Sequence, residues 1–143
     1  MLAPEAAWQE VRTFGHDHNY VRFNRHCRWT HGHIRFTAVK AEHSDAHPIG
    51  VIVEAEGKVL YITGDTLYNA EIFEDLPARI DAVFLPVNGM GNNMNMTDAK
   101  AFCQQIGAKV AVPMHCGMFD NLDMQAFDYA PKIVPVIYEE VRL

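Results

Sequence analysis

The sequence predicts a layered α/β domain, and three observations carry that prediction. Two continuous apolar runs, "IDAVFLPV" (residues 80–87) and "KVAVPMH" (residues 109–115), read as strands buried on both faces, the habit of parallel sheets. Between them, "TDAKAFCQQIG" (residues 97–107) reads as a helix closed by a glycine. Ahead of them, two β-rich runs meet at Glu56-Gly57, a good hairpin turn.

Residues 1–33 mix aromatics, arginines and polar breakers, and hold five of the eight histidines. They show no regular period and are expected to form an irregular segment. "IRFTAVKAEH" (residues 34–43) is β-rich and partly alternating, a strand. "IGVIVEA" and "KVLYITG" are the hairpin strands. "NAEIFEDL" (residues 69–76) reads as a short helix stopped by Pro77. "NGMGNNMNM" (residues 88–96) is a loop. In the helix that follows, Thr97 is the expected cap, Asp98 suits the positive end and Gly107 the C-terminus. "NLDMQAFDYA" (residues 121–130) is expected to be helical. "KIVPVIYEEV" (residues 132–141) is expected to be a last strand, at an edge because of Pro135. The order indicates an α/β layer structure. A single domain covers residues 1–143, with 1–33 irregular and 34–143 carrying the fold.

At 143 residues the chain is long enough for one core of its own. A formal charge of −6 argues against nucleic acid or an anionic membrane as partner, because phosphate binding needs a basic face. No apolar run approaches the roughly 18 residues of a membrane span. The opening "MLAPEAAWQE" lacks the basic and apolar regions of a secretory signal. Three widely spaced cysteines, Cys27, Cys103 and Cys116, suit a reducing compartment, so a cytoplasmic location is expected.

Polar groups recur where strands end. His43 and Ser44-Asp45 follow the first strand, Asp65 in "TGDT" the third, and His115 in "VPMHCGMF" the fifth. In layered α/β folds functional groups gather at one set of strand ends. Two imidazoles and a carboxylate suit a divalent transition metal. The plainer alternative stays open: a histidine after a strand that only forms hydrogen bonds, and an aspartate that only makes a turn. His47 is a further loop histidine near the same point. Adjacent strand residues point apart, so His115 and Cys116 do not form a nucleophile pair, and the cysteines read as structural.

Together, "VKAEHSD", "GVIVEAEGKVLYITGDT", "IDAVFLPV" and "MNMTDAKAFCQQIGAKVAVPMHCGMF" resemble the C-terminal half of the metallo-β-lactamase superfamily. They look closest to its L-ascorbate-6-phosphate lactonase-like, metal-dependent hydrolases. The resemblance spans about residues 34–120. It implies one half of an αββα sandwich: a mixed sheet with helices on one face. It implies hydrolysis of a lactone, ester or phosphoester with zinc or manganese. It assigns His43, Asp65 and His115 as metal ligands, Asp65 bridging two ions, with Asp65 and His115 as catalytic residues. It places Asn92, Asn93 and Asn95 in a substrate loop.

The family's H-x-H-x-D-H motif, which supplies further ligands, is absent. His16 and His18, or His31 and His33, have its first spacing without the following Asp-His. The expectation is therefore a truncated or naturally short chain, inactive alone. It would form a homodimer or bind an N-terminal-half partner chain, and take a small-molecule substrate only when completed. The alternative is a non-catalytic interaction domain whose former active face is covered by a partner.

Overall fold

A computed structural model describes residues 1–15, 17–116 and 121–143. Two short strands, β1 (Leu2–Ala3) and β2 (Val21–Arg22), pair in parallel and flank the helix α1 (Glu5–Val11). The main sheet has six strands in the order β3 (Arg28–His31), β4 (Ile34–Lys40), β5 (Ile49–Ala55), β6 (Lys58–Ile62), β7 (Ala82–Pro86) and β8 (Val110–Met114). From β3 to β6 the pairing is antiparallel, and from β6 to β8 it is parallel. A 3₁₀ turn, Ala70–Asp75, and the helix α2 (Met96–Ile106) lie in the two crossings between the parallel strands.

The β5–β6 turn forms where the sequence says. Glu56 and Gly57 both take positive φ, 50° and 73°, the pair of values a type I′ hairpin turn needs. The register then sorts the side chains. Ile52, Tyr61, Val83 and Ala111 line up across β5 to β8 on one face. Ala99, Phe102 and Cys103 of α2 and Ile72 of the 3₁₀ turn join these residues in one buried cluster. Burial pushes the Cys103 thiol up to about 12, so it is an inert core residue.

The opposite face is also apolar. Phe36, Val53 and Leu60 form one row, and Val51, Ile62 and Phe84 the next. These side chains are half-buried, and Ile62 is 40% exposed.

Four expectations need correction. Residues 1–33 are not irregular throughout: they include α1 and the edge strand β3. Pro4 precedes Glu5, Ala6 and Ala7, a proper helix start that the lack of a long apolar period concealed. Asn95, not Thr97, caps α2, its Oδ1 accepting from the Asp98 N–H at 2.9 Å. Gly107 ends that helix in the left-handed region, as its sequence position indicates. Residues 121–130 form only a 3₁₀ turn, Met124–Ala126. There Asp123 bonds back to the Gln125 N–H, a local alternative to helix. The last segment bridges β8 only at Lys132, next to Ala111, and does not continue as a strand. Pro135 lacks the N–H that would extend the ladder.

Among the described residues no helix is long and apolar enough to cross a membrane.

Candidate metal centre at the strand ends

Because β4, β6, β7 and β8 run the same way, their C-terminal ends share one edge of the sheet. His43 leaves β4, Asp65 leaves β6, the Asn-rich loop leaves β7 and His115 leaves β8. The start of β5 meets the same edge and brings His47. Strand direction alone therefore gathers residues distant in sequence.

Asp65 and His115 touch: the His115 Nε2 lies 2.9 Å from the Asp65 Oδ1. Both side chains are 42% exposed. The turn that carries Asp65 is tightly specified. Gly64 has φ 66°, and a Cβ there would meet the Ile49 carbonyl oxygen at 3.0 Å. His115 itself sits at φ 60°, an uncommon conformation for a side-chain-bearing residue.

Thr66 ties three of the exits together. Its N–H donates to the Asn93 Oδ1 at 3.0 Å, and its hydroxyl accepts from the Glu42 N–H at 2.9 Å and donates to the Leu67 carbonyl. Its carbonyl accepts from the Met94 N–H at 2.9 Å. Both Thr66 and Asn93 are buried. The loops bearing His43 and Asp65 and the Asn-rich loop are thus cross-linked by one hydroxyl, one amide and backbone groups.

His43 stands apart from the pair. Its Nε2 donates to the Gly91 carbonyl at 2.9 Å, while its Nδ1 faces the Asp45 carboxylate at 3.0 Å. Both ring nitrogens are engaged within the chain. Among the described residues, no three His, Cys, Asp or Glu side chains gather closely enough to enclose an ion. The donor chemistry of Asp65 and His115 suits a divalent cation, and the count supplies a partial shell that water or other donors must complete.

Two amides of the Asn-rich loop already have partners within the chain. Asn93 is spent on Thr66 and Asn95 on the α2 cap. Asn92, with φ 63°, serves the turn and is exposed. Of the other histidines, His31 lies on β3, His33 in the exposed turn before β4, and His18 against Tyr20. None of these joins Asp65 and His115, and His16 lies outside the described residues.

A cavity of about 540 Å³ opens at this edge. His43, Asp45, His47 and Asp65 line it from the strand ends, and Ala6, Ala7 and Glu10 line it from α1. No local signal marks α1 as a wall, because only tertiary folding brings residues 5–11 to this edge. Two residues outside the set read from the sequence also position this edge: Thr66 and Asp75. Asp75 is 6% exposed and accepts two bonds from Arg25, at 2.7 and 2.9 Å, and one from the Lys40 N–H at 2.8 Å. It also contacts the His26 ring at 3.0 Å. Burial alone would raise its pKa. The Arg25 guanidinium and the Lys40 N–H outweigh that and hold it well below the usual carboxylate range. This junction fixes the end of β4, from which His43 departs.

The Beta-lactamase superfamily domain matches residues 1–116. A UPF0173 metal-dependent hydrolase of Geobacillus thermodenitrificans is 32% identical over 88% of this chain and 59% of its own length. Two solved structures share the fold. A putative metal-dependent hydrolase from Parabacteroides distasonis has a TM-score of 0.68 at 24% identity, over 82% of this chain and 54% of its own. The metallo hydrolase Igni18 of Ignicoccus hospitalis has a TM-score of 0.67 at 22% identity, over 80% and 52%. The chain spans about half the length of the curated relatives it matches.

Proposed function

Starting from a chain that belongs to the Beta-lactamase superfamily domain family, we propose that it contributes one side of the active site of a divalent-metal-dependent hydrolase. The observation that carries this reading is the 2.9 Å contact of Asp65 with His115 at the shared strand ends. Asp65 and His115 hold the ion and are the catalytic residues. His43 would join them only by giving up its bond to the Gly91 carbonyl. Zinc or manganese matches this mixed carboxylate and imidazole set. The relative's printed name, metal-dependent hydrolase, supports the same class.

When bound, such an ion brings a coordinated water close to ionisation at neutral pH, the nucleophile for a lactone, ester or phosphoester. The chain's own part is positional. The carboxylate of Asp65 fixes the His115 ring by accepting from its N–H. Thr66 and Asn93 hold the Asp65 turn, so its carboxylate needs little reorganisation on binding.

The isolated chain is proposed to be inactive, because its described donors complete only part of a shell. The rest comes from an N-terminal-half partner chain or from a second copy. The test is hydrolysis of a lactone, an ester and a phosphodiester by the purified chain with added Zn²⁺ or Mn²⁺. Rates equal to buffer are expected. Saturable turnover that disappears in Asp65→Ala would overturn the inactivity and keep the site.

The second reading, a non-catalytic interaction domain, draws on the half-exposed rows Phe36, Val53, Leu60 and Val51, Ile62, Phe84. It differs from the first in expecting no saturable metal binding.

A further inference from the structure

We propose that the open edge of the main sheet, strand β3, is a dimerisation surface for a second copy of this chain. The two copies of β3 pair antiparallel about a two-fold axis beside Trp29. The inference is independent of the metal-dependent reading above.

The chain closes one edge of the sheet and leaves the other open. At β8 the last segment supplies the missing partners. The Ala111 N–H donates to the Pro131 carbonyl at 3.1 Å, and the Ile133 N–H donates to the Ala111 carbonyl at 2.9 Å. At the other edge β3 pairs only with β4, and Arg28, Trp29, Thr30 and His31 are all exposed. The strand has no proline and no lysine, residues that commonly blunt an exposed edge.

Backbone direction fixes the register. His31 pairs with Ile34 across the two-residue turn Gly32-His33, so that pair is hydrogen-bonded within the hairpin. Alternation makes the Trp29–Phe36 pair hydrogen-bonded as well. The bond from the Ala38 N–H to the Cys27 carbonyl, 2.9 Å, keeps the same alternation. The N–H and C=O groups of Arg28 and Thr30 therefore point away from β4. A second copy meets them when Arg28 lies opposite Thr30 of the other chain, and Thr30 opposite its Arg28. Trp29 then faces Trp29 of the other chain in a non-hydrogen-bonded pair. That is the closer kind of pair, with Cα atoms about 4.5 Å apart.

The side chains suit this register. Trp29 is 42% exposed and lies in one row with Phe36, Val53 and Leu60, so the pair joins two apolar rows into one. On the other face Arg28 meets a neutral threonine, and Arg35, next in that row, is already paired with Glu54 at 2.9 Å. The shifted register, Thr30 opposite Thr30, sets Trp29 against His31 and carries Arg28 out to Gly32, losing both features. An isologous contact of this kind closes at two copies. Four strand residues a side make a small interface, so the dimer dissociates on dilution.

The test is sedimentation equilibrium and disulfide cross-linking of the full chain. Thr30→Pro removes an outward N–H and leaves the β3–β4 bonds intact, a position where an edge strand accepts proline. Support is a monomer–dimer equilibrium in wild type that is at least about tenfold weaker in Thr30→Pro, with an unchanged circular dichroism spectrum. If that variant alters the spectrum, cross-linking decides alone. Under mild oxidation Trp29→Cys should form a covalent dimer at least about tenfold faster than Thr30→Cys, whose Cα atoms would lie beyond the roughly 7 Å limit for a bridge. Wild type, with the half-buried thiols Cys27 and Cys116, sets the background. Undiminished dimerisation in Thr30→Pro, with no excess cross-linking in Trp29→Cys, overturns the edge and leaves association through the sheet face standing. Faster cross-linking in Thr30→Cys overturns the register. A wild type that is monomeric at every concentration overturns the proposal.

Discussion

The Nε2 of His115 lies 2.9 Å from the Oδ1 of Asp65, across the ends of two strands that are not neighbours in the sheet. β7 runs between β6 and β8, so each residue must reach beyond its strand to meet the other. The Gly64 turn and the positive φ of His115 accomplish that reach. His115 is held at positive φ, uncommon for a residue with a side chain, and Gly64 supplies the same conformation beside Asp65.

Thr66 is the test of how the edge is organised. Thr66→Val keeps the shape and removes the hydroxyl, leaving the Glu42 N–H without its acceptor. A loss of about 1–3 kcal/mol is expected, read from the urea midpoint. A variant as stable as wild type would show that the hydroxyl does not hold these loops.

Asp75 predicts a pH dependence. Its native pKa is depressed, so its contribution is complete above the ordinary carboxylate value, about 3.9, and is lost as pH falls through the lower native value. Wild type should lose stability below about pH 4 more steeply than Asp75→Asn, which has no such group to protonate. Parallel curves for the two proteins from pH 5 to pH 2 would contradict this.

Tyr61 and Phe102 meet in the core but predict opposite outcomes. The Tyr61 hydroxyl is buried without a hydrogen-bond partner among the described residues, and burial raises its pKa. Tyr61→Phe is therefore expected to be neutral or stabilising by up to about 1 kcal/mol. Phe102→Ala opens a cavity beside Tyr61 and Phe73 and should cost about 3–5 kcal/mol. Denaturant unfolding of both variants checks the pair, and a destabilised Tyr61→Phe would reveal a partner for that hydroxyl.

Association follows from the second face of the sheet. We propose that Phe36, Val51, Val53, Leu60, Ile62 and Phe84 are covered in solution by a second copy or by an N-terminal-half chain. Light scattering at micromolar concentration should give a mass above the 16.2 kDa of one chain. A monodisperse monomer that does not bind a hydrophobic dye would refute this.

Much of the scaffold was legible because its signals are local. The Glu56-Gly57 turn sets the β5–β6 register, and the apolar runs ending in Val87 and His115 contain β7 and β8. Parallel strands bring Asp65 and His115 to one edge, and their contact depends further on the turns at Gly64 and His115. The remainder depends on non-local contacts. Nothing near Glu10 in sequence indicates that α1 lines the cavity. Asn95 reads equally as a loop amide or a cap until α2's first residue is known. The ring of His43 is taken by Gly91 and Asp45, which spacing cannot reveal. In the C-terminal segment, Pro135 and Asp123 outweighed the apolar pattern.

The central claim is that Asp65 and His115 form the core of a divalent-cation site. Equilibrium dialysis of untagged protein against Zn²⁺ tests it most directly, with Asp65→Ala and His115→Ala alongside. The account predicts saturable binding by the wild type and affinity at least about tenfold weaker in each variant. Unchanged stoichiometry and affinity in both variants would contradict it.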